Sequence, residues 1–547
     1  MRSLRLFVFL ACAATQTSSV QAQDAAPAHV PADSASPTAP PVSKPGSSAP
    51  SAPLLEAQHL LRTGKFVEAE SAYNAIIASD ATFAPAYAGI SRALLKEKRV
   101  ADAEKAAAKS LELAPTAEFS RIAVAEVRFR QGRIEDAESL YTDLVKANAK
   151  DARAYYGLGR IYWAASYYQH AKLMFDKANE RDPEDPDIHK RWLFTLTRKE
   201  RIAALKGFLE NETAEDADER EHLETSLVTL KEAEDEKRRG CRLASTNQET
   251  HQPMERLMRD ANRIRGYGLK VNIEGAKGTL LLDSGATGIL INRRMAEKAG
   301  IKPIVKTDVH GIGDKGAVSS YIGIADSIKI GDLEFKGCHV EVMDRNSVAE
   351  EDGLIGSDMF SSFLVNIDFP NYKLHLTPLP PMPPPSDSEK ALIAKYPGVA
   401  RFRDRVIPPE FKSFSSVYRF NHMLLIPTRV NDLPPKLFLI DTGAFSDTIT
   451  PDAAREATKV RSDAAIQVKG LNGAVKKVFT ADDITLTFSH FRQPARDMVA
   501  FDTTDISNRV GTEVSGTLGF AMLYKMSIKI DYRDGLVYFD YDPNRWH

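Results

Sequence analysis

The sequence predicts an all-α helical-repeat solenoid followed by a mainly-β unit built as two similar lobes. Three observations carry this. Small residues recur at a fixed interval between about 54 and 184, the apolar pattern changes to a period of two from Gly268 onward, and two runs head stretches that repeat one another in order. Those runs are Leu281-Leu282-Asp283-Ser284-Gly285-Ala286 and Leu439-Ile440-Asp441-Thr442-Gly443-Ala444. At 547 residues the chain has room for several domains.

The helical half is read from Ala69, Ala103, Ala137 and Ala171, each 34 residues after the last (103 − 69, 137 − 103, 171 − 137). Gly64 and Gly132 stand five residues before their Ala, and Tyr73, Ala107, Tyr141 and Phe175 stand four after. Pro115 and Pro183 close two of the units. A small residue at a fixed place lets paired helices approach closely. The pattern resembles the tetratricopeptide repeat, assigned to residues 54–197 with a capping helix near Ile188 to Leu196. The resemblance implies a concave groove for a protein partner.

Around this array the composition shifts. Arg2 and Arg5, the apolar Leu6 to Ala14 and the small-residue Val20-Gln21-Ala22 predict an export signal over 1–22, hence a periplasmic or secreted protein. A lipid anchor at Cys12 is the lesser alternative. Residues 23–53, rich in Ala, Pro and Ser, are expected to be a disordered spacer. Residues 198–262 carry alternating charge, as in Glu232 to Arg239, and are expected to form a helical connector that Gly240 can end.

In the β half, Leu269, Val271 and Ile273 alternate with polar neighbours and precede the strand that ends at Asp283. A short helix is expected at Arg293 to Ala299. The second copy offers Leu424 and Ile426, a turn at Asn431 to Pro435, a strand to Ile440, and a helix near Asp452 to Ala457. Leu354-Ile355-Gly356 corresponds to Thr517-Leu518-Gly519. Asp368 and Asp531 each lie 12 residues past that Gly (368 − 356, 531 − 519) and are read as turn caps before the last strands. The lobes are set at 263–377 and 415–547. A stiff Pro-rich linker over 378–414 joins them.

These recurring elements resemble the aspartic peptidase superfamily, nearest to the retropepsin-like half-unit, two of which pair as a homodimer or as the lobes of one pepsin-like chain. The resemblance implies an acid-protease fold and an aspartic endopeptidase in which Asp283 and Asp441 are catalytic. It also implies that Ser284 and Thr442 cross-brace two loops whose sharp turns use Gly285 and Gly443. Segments near Gly311, Gly313 and Gly316, and near Gly470 and Gly473, are candidate flaps over substrate. Two carboxylates forced together share a proton, so one can take a proton from water while the other polarises a carbonyl. Two departures stand out. Thr517 replaces the first apolar residue of its motif, and no motif places a flap tyrosine, although Tyr321 lies near.

Composition narrows the rest. A net charge of −2 gives no case for nucleic acid. No His/Cys cluster has metal spacing and no cofactor is expected. Beyond the N-terminus no apolar run is long enough to span a bilayer. His189, His251, His422 and His490 are scattered and read as surface or core residues. Cys241 and Cys338 are expected to be one linker thiol and one buried thiol rather than a pair. The expected partners are a peptide or protein substrate and a protein in the repeat groove, with a monomer favoured over a dimer. Two rival readings stand: a binding or assembly scaffold whose protease-like lobes are structural, and lobes that act only as intermolecular dimers.

Overall fold

The structure, a computed structural model, describes residues 51–211, 217–235, 241–246, 249–309, 311–313, 318–345, 348, 350–463, 466 and 468–546. The expected export signal with Cys12, nearly all of the Ala/Pro/Ser segment, Gly240 and Gly316 lie outside the described residues.

Residues 52–193 form successive helices from Ala52–Arg62 to Pro186–Leu193, packed as neighbouring pairs. Ala69, Ala103, Ala137 and Ala171 are all fully buried, at 0% exposure, which explains their size. Tyr73 and Tyr141 lie where Gly89 and Gly157 leave room, and Phe175 does so against Gly159; a Cβ at any of these glycines would enter the ring. The turn inside each pair also repeats. Gly64, Lys98, Gly132 and Ser166, again 34 apart, all have positive φ, between 63° and 76°. Glycine takes that conformation without strain, whereas Lys98 and Ser166 adopt it with their N–H groups bonded to the Leu95 and Trp163 carbonyls, each at 3.2 Å.

Asp185 caps the helix Pro186–Leu193 by accepting from the backbone of Asp187 and Ile188. Helices Arg198–Asn211 and Ala217–Asp235 follow, joined to the array through Leu193, Leu205, Phe208 and Leu223. The expected helical connector ends there. Arg242–Leu243, Thr250–Pro253 and Glu255–Met258 are strands instead. Their apolar residues, Leu243 and Leu257 among them, complete sheets of the β half, and charge alternation in the sequence concealed this. Nor do the two cysteines stay apart: Cys241 and Cys338 form a disulfide, tying the entry strand Arg242–Leu243 to the first lobe.

The two lobes repeat one strand arrangement. Ala276–Asp283 runs parallel to Gly353–Gly356, with Gly356 opposite Asp283. Lys436–Ile440 runs parallel to Gly516–Leu518, with Ile440 opposite Leu518. Apolar side chains on both faces of these strands produce the near-continuous hydrophobic runs seen in the sequence. A third, six-stranded sheet joins the lobes. Phe363–Asp368 of the first pairs antiparallel with Ser527–Asp531 of the second, and Val365 faces Ile530 across the seam. Asp368 accepts from the Asn371 backbone and Asp531 from those of Arg533 and Asp534, so both cap turns before the last strands.

The segment after Pro378 is not a bare spacer. It contains the helix Asp387–Lys395 and then runs back to the helical array. Asp404 accepts from the Gln169 backbone at 2.9 Å and pairs with the His170 ring, while the Arg405 backbone donates to the Ser166 carbonyl at 3.0 Å. A second tie lies at Phe129 to Gly132. The Thr512 hydroxyl donates to the Phe129 carbonyl at 2.6 Å, and the Glu513 backbone donates to the Arg130 carbonyl at 2.9 Å. Among the described residues no helix is long and apolar enough to cross a membrane.

Candidate active site

Each lobe delivers its Asp at the end of an apolar strand, just before a turn that starts with a hydroxyl residue and a glycine. Asp283 and Asp441 come together across the lobes, each carboxyl lying against the other's glycine turn and interacting with the other acid. Asp283 also accepts from the Gly285 backbone at 2.8 Å; Asp441 accepts from Gly443 and Ala444, each at 2.9 Å. The glycines are required by the close approach. A Cβ on Gly285 would lie 2.6 Å from the Asp441 carboxyl carbon, and one on Gly443 would collide with Asp283.

Both carboxyls keep a half-exposed edge yet are otherwise enclosed by protein. Burial pushes Asp283 well above the usual carboxylate range, and the neighbouring Asp441 charge pushes in the same direction. Burial raises Asp441 as well, but the backbone N–H groups of Ala444 and Gly443 and the nearby His422 ring oppose it. The pair therefore holds one proton more readily on Asp283.

Ser284 and Thr442 are completely buried beneath the carboxyls. The Ser284 backbone donates to the Thr442 hydroxyl at 3.0 Å, and the Thr442 backbone to the Ser284 hydroxyl at 3.0 Å. The Ser284 hydroxyl in turn donates to the Ile440 carbonyl at 2.9 Å, and that of Thr442 to the Leu282 carbonyl at 3.1 Å.

The four glycines read as flap positions lie on segments that touch one another. Val305–Val309 and Val318–Ala325 pair in the first lobe, and Lys469–Gly470 pairs with Gly473–Ala474 in the second. The Asn472 backbone donates to the Ile312 carbonyl at 3.0 Å, and its side chain to the Val309 carbonyl at 3.3 Å. Gly311 and Gly313 sit against Leu471 and Asn472, and Gly470 against Ile312. Leu471 packs with the cluster that contains Leu281, Leu290 and Leu354, together with Ala286 beside the first Asp turn. Tyr321 is not a flap residue of this site: its hydroxyl donates to the Ile301 carbonyl at 3.4 Å.

Three neighbours of the site escaped the sequence reading. Asp447 is half-buried, accepts from the Gly519 backbone at 2.7 Å, and is raised by desolvation to about 7. In the first lobe the corresponding Gly356 N–H instead meets the Gly288 carbonyl, and Asp358 accepts from the Gly288 backbone and the Thr287 hydroxyl. His422, taken as a scattered histidine, lies within electrostatic reach of Asp358 and Asp441, and burial holds its ring below the ordinary value. No motif in the sequence pointed to any of these. Among the described residues no group of three or more His, Cys, Asp or Glu side chains could hold a metal ion.

Comparison with known proteins bears on both halves. Residues 269–359, which span the first lobe's Asp turn and its apolar-apolar-Gly strand, match the family model described as aspartyl protease. Residues 54–118 and 123–186 match the tetratricopeptide repeat. The UBA domain-containing protein Mud1 of Schizosaccharomyces pombe is 32% identical over 114 residues, covering 20% of this chain and 33% of that protein. The chain thus spans about a third of the length of this curated relative. The solved aspartic proteinase from Irpex lacteus aligns with 55% of this chain and 98% of its own, at 10% identity and a TM-score of 0.32. The protein carries tetratricopeptide repeats followed by a mainly-β part with an aspartyl-protease-like domain.

Proposed function

We propose that the protein is an exported aspartic-type endopeptidase. Asp283 and Asp441 from the two lobes of one chain activate water between them, and the tetratricopeptide array brings substrate or a partner to them. The observation that carries this is the approach of each carboxyl to the opposing Asp turn, above reciprocal bonds that fix their loops. The ionised acid takes a proton from the attacking water. The protonated acid hydrogen-bonds the scissile carbonyl as charge develops on its oxygen. Protons then pass to the leaving amine, and the pair returns to its shared-proton state. The touching hairpins at Ile312 and Asn472 suit a cover that opens for an extended peptide. The Cys241–Cys338 bridge supports an oxidising compartment, in keeping with export.

The test is turnover of casein or a peptide library between about pH 3 and 7, the range a shared-proton pair favours, by the wild type and by Asp283→Asn and Asp441→Asn separately. Loss of turnover in either variant, with the fold retained, supports a single two-Asp site. Partial activity in each overturns it. A folded wild type that cleaves nothing leaves the scaffold reading, with the repeats as its working part.

A further inference from the structure

The helical array has an inner face with its own cavity. The cavity, of about 430 Å³, is lined by Leu54, Leu61, Arg92, Phe119, Ile122 and Arg153 among others. These residues come from Ala52–Arg62, Ala84–Lys96, Glu118–Arg130 and Ala152–Ala164, the first helix of each successive pair. The charges on this face fall into two groups. In the first, Arg153 bonds Glu126 at 3.1 Å, Asp185 at 2.7 Å and Asp187 at 3.0 Å. Arg92 pairs with Asp185 at 2.7 Å, and Lys96 pairs with Asp187. Three cations there meet three carboxylates, so the group is balanced.

The second group is not balanced. Tyr156 and Arg160 follow Arg153 by three and seven residues (156 − 153, 160 − 153), so the three lie along one stripe of their helix. The Arg160 guanidinium lies 4.2 Å from the Phe129 ring and 4.5 Å from that of Tyr156, and it donates to the Tyr141 hydroxyl at 3.2 Å. Arg191, from Pro186–Leu193, lies 4.8 Å from the Trp163 ring and 5.3 Å from that of Phe175. Phe175 stands 6.4 Å from Tyr156, so both arginines border one aromatic cluster. Both are half-buried, and among the described residues neither forms an ion pair. Ring faces hold each guanidinium in place and leave its N–H edge for an acceptor. Two surplus positive charges, fixed before any ligand arrives, suit carboxylates.

The patch also has a direction. Phe129, against which Arg160 stacks, lies 6.4 Å ring to ring from Phe420 of the second lobe. The hairpin that carries Phe420 continues into Met423–Val430, which pairs with the strand leading to Asp441. The surplus charge therefore stands where the array meets the lobe that supplies Asp441.

We propose that Arg160, Arg191 and Tyr156 form a docking site for an acidic segment of the protein substrate, whose Asp or Glu carboxylates meet the two arginines while an apolar side chain of the same segment enters the cavity at Phe119 and Ile122. This rests on the reading of Asp283 and Asp441 as one hydrolytic site. A segment held there keeps its continuing chain beside the second lobe, which raises the local concentration of the scissile bond.

Binding is measured by fluorescence anisotropy on the full chain carrying Asp283→Asn. The labelled peptides are an amidated one with a Leu followed by a run of Glu, the same with a free C-terminus, and the amidated one with Gln for every Glu. The amidated Glu peptide should bind about tenfold or more tightly than the Gln peptide, match the free-acid form, and weaken as salt rises. Arg160→Gln with Arg191→Gln should remove this preference. Arg160→Lys with Arg191→Lys keeps both charges and should retain part of it, which separates lost charge from a lost fold. Equal binding of Glu and Gln peptides, a preference that survives the paired Gln changes, or binding by the free C-terminus alone overturns the proposal. With the active chain, KM for a protein bearing an acidic run should lie below that for the same protein with the run changed to Gln, and the paired Gln changes should erase the difference. Equal KM values in the wild type overturn the substrate role. A wild type that cleaves nothing removes the hydrolytic reading, and the docking site is then judged by anisotropy alone.

Discussion

Ser284 and Thr442 each accept the other's backbone N–H and each donate to the carbonyl before the other's Asp, so two loops 158 residues apart (442 − 284) are locked by four bonds. Both residues are buried, so no water can substitute for a lost partner. Ser284→Ala or Thr442→Val alone leaves a buried N–H without an acceptor. Either should cost about 1–3 kcal/mol and reduce turnover by loosening the carboxyl pair. In a double-mutant cycle by chemical denaturation the two changes should be far from additive, since they break one network. Additive losses would mean that the loops are held independently.

Asp447 makes stability depend on pH. Its folded-state value, raised by burial to about 7 from 3.8, favours the protonated acid. The stabilisation is complete below about pH 4 and is lost as pH rises through about 7, a swing of about 4 kcal/mol at most. Asp447→Asn keeps an acceptor for the Gly519 N–H and cannot ionise. Urea denaturation at a series of pH values should show a shallower decline in this variant than in the wild type. Asp531, raised to about 6 by burial and by Asp534, adds a decline of the same sign that the substitution leaves in place.

The disulfide should matter most to the first lobe. It closes a loop of 97 residues that contains the Asp283 turn, the hairpin leading into it and one flap. In the loop-entropy view, opening so long a loop costs about 3–5 kcal/mol. Reductant, or Cys338→Ser, should lower the first calorimetric transition. A chain whose Tm ignores reductant would show that the bridge adds nothing to the folded state.

Much of this architecture was legible because two kinds of repetition survive in the amino acids. Ala69, Ala103, Ala137 and Ala171 recur because helix pairs tolerate nothing larger at those places. The two Asp turns recur because close approach of one loop to the opposing carboxyl excludes a Cβ. What escaped was whatever depends on pairing across long stretches of chain. Thr250–Pro253 reads as polar connector, yet it completes the six-stranded sheet beside Lys373–Pro378. Its partner strand lies over a hundred residues away, and only a fold brings them side by side. Asp404 looked like part of a linker because His170 and Gln169, which hold it, belong to the helical repeats. His422 looked incidental for the same reason: Asp358, one of the charges that face it, belongs to the other lobe.

The seam at Val365 and Ile530 is closed within one polypeptide. Its effective concentration is set by the tether between the halves, not by the number of molecules in the flask. Diluting the sample cannot pull the halves apart, so the enclosure they form should persist unchanged at concentrations where a paired half-molecule would have dissociated.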